Sequence, residues 1–279
     1  MSTAIEAGIP GAVSDFHGYV CHTFDVDGHE ARIVEPKETL PGKPWVWRTM
    51  FWDAFPSADI GLLERGFHVG YVDAGDTYAS PDALALFDSF YDHVTTWYGF
   101  SKRPVLEGLS RGGYCAYRWT YFNTDKVGCL YGDAPLCDIN LLKGWGEKTN
   151  GVSDRWLTLL DSYGITGDPN TAVIEGNPID GLATLAAAGI PIIHVCGDKD
   201  EAATNPKNND IVQDRYPKLG GEFVLIMKEG CPHHPHGLSD PTPVVDYIVA
   251  KCADGQAAEE ALKWAPKAGE IIFVPEGKW

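Results

Sequence analysis

Short apolar runs recur along the chain, separated by segments in which apolar residues fall at helical spacing. Extended stretches at 17–24 and 31–34 flank Asp27-Gly28, a dipeptide suited to the tight turn of a hairpin. Trp45-Val46-Trp47, preceded by Pro44, reads as a short buried strand. A helix over 60–65, closed by Gly66, leads into a strand at 67–72. Ser80-Pro81 supplies an N-cap and a first-turn proline. The helix that follows, 82–98, carries Leu84, Leu86, Phe87, Phe90 and Tyr91 on its apolar face. Beyond it the pattern predicts strands at 104–106, 127–131, 190–196 and 222–227, and helices at 111–122, 208–216 and 241–251.

Strands alternating with helices predict an α/β fold, a mostly parallel central sheet with helices on both faces. We expect one domain over residues 1–279. Two stretches stand apart. Residues 135–189 interrupt the alternation with a long Gly- and Asn-rich segment carrying Trp145 and Trp156, and read as a small cap insertion. Residues 253–279 form a C-terminal extension whose EIIFVP run at 270–275 suits an added edge strand.

Composition narrows the class without changing this picture. The 279 residues are 44% hydrophobic and 22% charged, close to globular averages. A chain of this length buries roughly 70–75% of its unfolded surface on folding. Disorder, a fibre and a membrane-embedded chain are poor fits. The 22 Lys and Arg face 39 Asp and Glu, a formal net charge of −17. Such a surface repels phosphate backbones and anionic lipid, so neither nucleic acid nor membrane is expected as a partner. Cys21, Cys115, Cys129, Cys137, Cys196, Cys231 and Cys252 are scattered, with no C-x-x-C pair. That pattern suits free thiols in a reducing, cytoplasmic setting. The opening MSTAIEAGIPGAVSDFHGYV lacks the basic and apolar regions of a secretory leader, and no apolar run is long enough to span a bilayer.

The chemistry is carried by three clusters. The first is Gly108-Leu109-Ser110-Arg111-Gly112, a G-x-S-x-G placed between a predicted strand and a predicted helix. A serine on such a turn needs a strained backbone and close approach of strand and helix, which flanking glycines permit. The helix N-terminus beside it offers free N–H groups where an oxyanion would develop. The second cluster is Gly197-Asp198-Lys199-Asp200-Glu201, a carboxylate-rich loop after the 190–196 strand. Asp198, next to Gly197, suits a turn-stabilising role, and Asp200 is the expected acid. Asp133, ending the preceding strand, is its rival. The third cluster is His233-His234-Pro235-His236, three of the nine histidines, after the 222–227 strand. A serine needs a base to take its proton and a carboxylate to orient that base. His233 is the expected base, being first after the Gly230 turn. His234 and His236 stay open as candidates, His236 also as a cap of the closing helix. An H-H-x-H cluster can hold zinc, but no matching cysteine or carboxylate pair completes a site. No metal and no cofactor are expected.

With these residues in place the chain resembles the α/β-hydrolase superfamily, and within it bacterial prolyl-oligopeptidase-like and acyl-esterase hydrolases. The resemblance rests on PGKPWVWR at 41–48, GLSRGG at 108–113, YGDAP at 131–135, NPID at 177–180, GDKD at 197–200 and HHPHGLSDPTPVVDYI at 233–248. The chain departs from many relatives at 202–206, where they carry Val-Pro, and at Pro232, where they carry glycine. The resemblance implies an oxyanion hole built from the Arg111 amide and one amide of the 47–50 loop. That loop lacks the usual His-Gly pair, so Arg48 and Arg111 become candidates for oxyanion or substrate contact. They also fit a structural role paired with Glu107 or nearby aspartates. An arginine directly after the serine is similar to glucuronoyl esterases. Trp45, Trp47 and Trp52, near the same loop, tilt the expected substrate towards a carbohydrate or aryl ester. The expectation is a serine hydrolase acting on a small-molecule carboxylic ester through Ser110, His233 and Asp200. A serine peptidase of the prolyl-oligopeptidase type and a non-catalytic binding protein on the same fold are the alternatives.

Overall fold

The computed structural model describes residues 8–279. The reading of the N-terminus as leaderless rests partly on residues 1–7, which lie outside that range. The chain runs β1 (Ala12–Phe16), β2 (Tyr19–Val26), β3 (His29–Glu35), β4 (Trp45–Arg48), α1 (Ser57–Glu64), β5 (His68–Val72), α2 (Pro81–Trp97), β6 (Val105–Leu109), α3 (Arg111–Phe122) and β7 (Cys129–Asp133). It continues with β8 (Lys148–Thr149), β9 (Val152–Ser153), α4 (Asp154–Ser162), α5 (Pro178–Ala187), β10 (Ile192–Gly197), α6 (Asn209–Lys218), β11 (Phe223–Lys228), α7 (Thr242–Cys252), α8 (Gly255–Leu262) and β12 (Ile271–Val274).

Ten strands form one sheet in the order β1-β2-β3-β5-β4-β6-β7-β10-β11-β12. The first three form an antiparallel meander joined antiparallel to β5, and every pairing from β5 to β12 is parallel. The β2–β3 turn is Asp27-Gly28, both at positive φ as a tight hairpin needs. Strands β4 to β7 and β10 are buried along their whole length. A parallel sheet covered on both faces produces such continuous burial. On one face α2, α3, α4, α5 and α6 pack through Phe87, Tyr117, Trp119, Trp156, Leu182 and Tyr216. On the other, α1, α7 and α8 pack through Leu62, Tyr247, Ile248 and Ala261.

Several details differ from the pattern-based reading. β6 runs on to Leu109, paired along β7 to Asp133, with the charged Glu107 buried inside it. β1 precedes the expected hairpin. Within 135–189 lie β8, β9, α4 and α5; Trp156, Leu159, Leu182 and Leu185 pack into the core, with α5 against α3. The 253–279 stretch forms α8 and then β12, which pairs parallel with β11 at the sheet edge. All seven cysteines are unpaired thiols. Among the described residues no helix is long and apolar enough to cross a membrane.

Candidate active site

Ser110 sits between β6 and α3 with φ 50° and ψ −118°, a left-handed conformation disfavoured for a side-chain-bearing residue. The turn holds because strand and helix approach closely: a Cβ on Gly108 would lie 2.3 Å from the Gly112 carbonyl oxygen. Backbone bonds from Ser110 N to Asp133 O (2.9 Å) and from Leu136 N to Ser110 O (2.8 Å) fix it to the end of β7. Serine strained in this way has its hydroxyl presented above the sheet's C-terminal edge. The first amides of α3 lack intrahelical partners, which leaves the Arg111 N–H available beside the serine.

A chain of hydrogen bonds leads away from the hydroxyl. Ser110 Oγ lies 2.9 Å from His233 Nε2, and His233 Nδ1 lies 2.7 Å from Asp200 Oδ2. The other oxygen of Asp200 accepts the amides of Ala202 and Ala203, each at 2.9 Å. The acid loop and the histidine loop meet at Gly197, where a Cβ would lie 2.2 Å from the Cys231 carbonyl oxygen. Asp198 does stabilise a turn, accepting the Gly230 amide at 2.7 Å.

The rival carboxylate has a different partner. Asp133 Oδ1 lies 2.6 Å from His236 Nδ1, and its Oδ2 accepts the Gly237 amide (2.7 Å) and the Tyr131 hydroxyl (3.0 Å). Burial raises its proton affinity. The His236 hydrogen bond and charge, the Lys228 cation and the Gly237 amide outweigh that and hold it below the usual carboxylate range. Two aspartate–histidine pairs thus stand side by side, of which one reaches the serine. His236 is engaged with Asp133, and the exposed start of α7 is served by Asp240, whose Oδ1 accepts the Thr242 amide at 3.0 Å. His234 is exposed, and partial burial and the neighbouring His236 and His233 lower its pKa.

The histidine loop is braced by residues the sequence reading did not single out. Buried Lys228 donates to the carbonyls of Pro235 (2.5 Å) and Gly237 (3.2 Å). The C-terminal Trp279 donates its indole N–H to Glu229 O at 2.8 Å, and Ser239 donates to Trp279 O at 2.9 Å. The 253–279 extension therefore straps down the loop that carries His233.

A cavity of about 310 Å³ opens over Ser110, walled by Phe51, Ala54, Phe55, Leu109, Arg111, His233, His234 and His236. Arg111 is placed in this wall. Its Nη1 lies 2.6 Å from Asp76 Oδ1, and its guanidinium sits over the rings of Phe51 and Tyr78. Arg48 is placed elsewhere: it is 1% exposed and lies beneath the wall, so the expected contact with substrate is not met. Its guanidinium pairs with Asp59 and with Glu107 (3.2 Å) and donates to the carbonyls of Ala54 and Phe51 (3.1 Å). Phe51, Asp53 and Phe55 all adopt positive φ, so this arginine holds a strained loop in shape from below. Burial, reinforced by the nearby Asp59 carboxylate, raises the Glu107 pKa well above its ordinary value, with Arg48 opposing. Thr49 ties the same loop to the serine turn, its Oγ lying 2.8 Å from Gly112 O. The tryptophans do not line the cavity. Trp45 and Trp47 stack at 5.6 Å in the core, and Trp47 meets Trp119 edge-on. The aromatic faces at the cavity are those of Phe51 and Phe55. The 135–189 segment supplies none of its lining residues.

No family model matches the sequence, and no curated protein matches it. Solved structures do. The chain is similar to S-formylglutathione hydrolase from Staphylococcus aureus, with a TM-score of 0.59 and 13% identity over 77% of this chain and 92% of that one. The esterase Est1E from Butyrivibrio proteoclasticus matches with a TM-score of 0.52 and 17% identity, over 76% and 90% of the two chains. Acylaminoacyl peptidase from Pyrococcus horikoshii matches with a TM-score of 0.60 and 12% identity, over 88% of this chain and 44% of that one. These likenesses show the fold, which is an α/β-hydrolase fold.

Proposed function

We propose that the protein is a serine hydrolase that cleaves carboxylic esters of small or medium-sized molecules. The observation that carries this reading is the unbroken Ser110–His233–Asp200 hydrogen-bond chain, with the serine held at φ 50° on its turn. In this reading His233 Nε2 takes the Ser110 proton as the oxygen attacks the ester carbonyl. The Arg111 amide and one free amide of the loop that follows β4 stabilise the oxyanion. Collapse of the intermediate expels the alcohol, which leaves with the proton from His233. Water then attacks the acyl-enzyme, giving up a proton to His233, and the carboxylic acid departs. Asp200 holds His233 with its Nε2 lone pair towards Ser110.

The cavity's size and its Phe51 and Phe55 walls favour an aryl or carbohydrate ester over a long acyl chain. The seven free thiols favour a reducing compartment, in keeping with a cytoplasmic enzyme. The names of the esterases among the similar structures support ester hydrolysis, whereas that of the acylaminoacyl peptidase supports amide cleavage on the same fold. The test has two parts. A fluorophosphonate probe should label the wild type at Ser110 and fail to label Ser110→Ala, and an unlabelled wild type would leave a binding protein as the reading. A panel of activated aryl esters, acetylated sugars and peptide anilides should show turnover of esters well above anilides, and the reverse order would establish a peptidase.

A further inference from the structure

Ester hydrolysis uses one of the three histidines at the cavity. One ring nitrogen from each of His233, His234 and His236 lies within 4.8 Å of the other two. The three rings cross at 80–89° with centroids 4.8–5.0 Å apart, so they fan around a shared space instead of stacking. Two of them are already held as metal-ligating imidazoles are held. His233 keeps its Nδ1 2.7 Å from Asp200 and His236 keeps its Nδ1 2.6 Å from Asp133, and both carboxylates are buried. A carboxylate that accepts the Nδ1 proton fixes the tautomer, places the lone pair on Nε2 and strengthens it as a donor to a metal.

In the sequence no matching cysteine or carboxylate pair stands by to complete a metal site around the three histidines. Three imidazoles facing an open cavity need none, because water or the Ser110 hydroxyl can take the fourth position. Tetrahedral zinc, about 2.0–2.1 Å from each nitrogen, wants ligand atoms roughly 3.4 Å apart. His234, the exposed member, is the one free to close the remaining distance. The net charge of −17 favours cations near the surface. Imidazole donors select zinc-like first-row ions over magnesium or calcium.

We propose that His233, His234 and His236 form a binding site for a divalent first-row transition cation of the zinc type, and that its occupation switches hydrolysis off. An Nε2 of His233 committed to the metal cannot take the Ser110 proton. The switch rests on the hydrolase reading above, whereas the site itself does not.

Zinc calorimetry and Co²⁺ visible absorption on the full chain test the site. The wild type and Ser110→Ala should each bind one ion per chain, with the absorption of tetrahedral cobalt. His234→Ala and His236→Ala should each weaken binding by at least about tenfold, the least that loss of even an outer carboxylate costs. His234 is exposed, so its variant keeps the fold. Zinc should inhibit hydrolysis of an activated ester at concentrations matching its dissociation constant, and a chelator should restore the rate. In His234→Ala the inhibition constant should move by the same factor as the affinity, each rate being taken against that variant's own metal-free rate. No zinc binding to the wild type, or binding undiminished in both histidine variants, overturns the site. Binding that leaves the rate unchanged, or raises it, overturns the switch. If the metal-free wild type hydrolyses no ester yet binds zinc, the hydrolase reading and the switch fall together and the site stands.

Discussion

Asp200→Asn separates the two aspartate–histidine pairs most cleanly, because the structure dictates which way the new amide turns. Asp200 Oδ1 accepts the amides of Ala202 and Ala203, so the asparagine must keep its oxygen there. Its NH2 then faces His233 Nδ1, where the carboxylate oxygen was. Two donors cannot share a hydrogen bond, so the imidazole moves its proton to Nε2. That nitrogen, 2.9 Å from Ser110 Oγ, no longer accepts the serine proton. The shape of the side chain is unchanged, so the fold should persist. Losing the correct tautomer costs a triad enzyme about 10⁴-fold in kcat. At about 1.36 kcal/mol per decade this is roughly 5.4 kcal/mol of transition-state stabilisation.

The assay is steady-state hydrolysis of one activated aryl ester by the wild type, Asp200→Asn and Asp133→Asn, with circular dichroism to check folding. Asp133→Asn is the internal control. Its oxygen can stay with the Gly237 amide and the Tyr131 hydroxyl while its NH2 turns the His236 tautomer, and no serine depends on that ring. It should keep kcat within about tenfold, the effect of a perturbed cavity wall and not of a lost base. A folded Asp200→Asn enzyme within tenfold of wild type would refute the assignment. The opposite ranking would place the acid at the end of β7.

The remaining predictions concern the scaffold. Gly108→Ala places a methyl 2.3 Å from a backbone oxygen that cannot yield, so a loss of about 1–3 kcal/mol in urea unfolding and near-complete loss of turnover are expected. A stable, active variant would show that the turn does not require glycine. Arg48→Met strips the cation from buried Asp59 and Glu107 and should destabilise by about 3–5 kcal/mol while raising KM as the Phe51–Phe55 wall loosens. Unchanged stability and KM would deny it the bracing role. Burial holds the His194 pKa at about 4, against about 6.5 in the unfolded chain, so the folded protein stays neutral where the unfolded one is protonated. Its contribution is full above pH 6.5 and fades as pH falls to 4, by up to roughly 3 kcal/mol. His194→Gln should therefore show a shallower fall in urea midpoint between pH 7 and 4.5 than the wild type, and equal falls would count against this.

What the sequence disclosed and what it withheld divide along the range of the interactions involved. Strands β5, β7, β10 and β11 were legible because burial on both faces writes them as continuous apolar runs. The serine turn was legible because its constraint is local, with Gly108, Ser110 and the first turn of α3 adjacent in the chain. Glu107 made β6 look shorter than it is, because the partner that lets it lie inside the sheet is Arg48, 59 residues earlier. For the same reason Arg48 drew attention as a substrate contact: an arginine beside an active-site loop looks the same in sequence whether it faces the cavity or props the loop from below. The choice between Asp200 and Asp133 turned on sheet order. β7 and β10 are neighbours, so both carboxylates end at the same edge, and only the path of the 229–241 loop decides which histidine each one meets. That path is set by Lys228 and by Trp279 at the far end of the chain, neither of which carries a motif. His236, which spacing left open as a helix cap, is drawn to Asp133 by that loop. The tryptophans misled for a physical reason as well. Large aromatics near a reactive loop serve a sugar ring and a hydrophobic core equally well, and here the Trp45–Trp47–Trp119 cluster fills the space between β4 and α3. A hydrogen-bonded serine, histidine and aspartate can thus be named from chain order, while the walls around them depend on contacts dozens of residues apart, so KM should respond to Arg48 and kcat to Asp200.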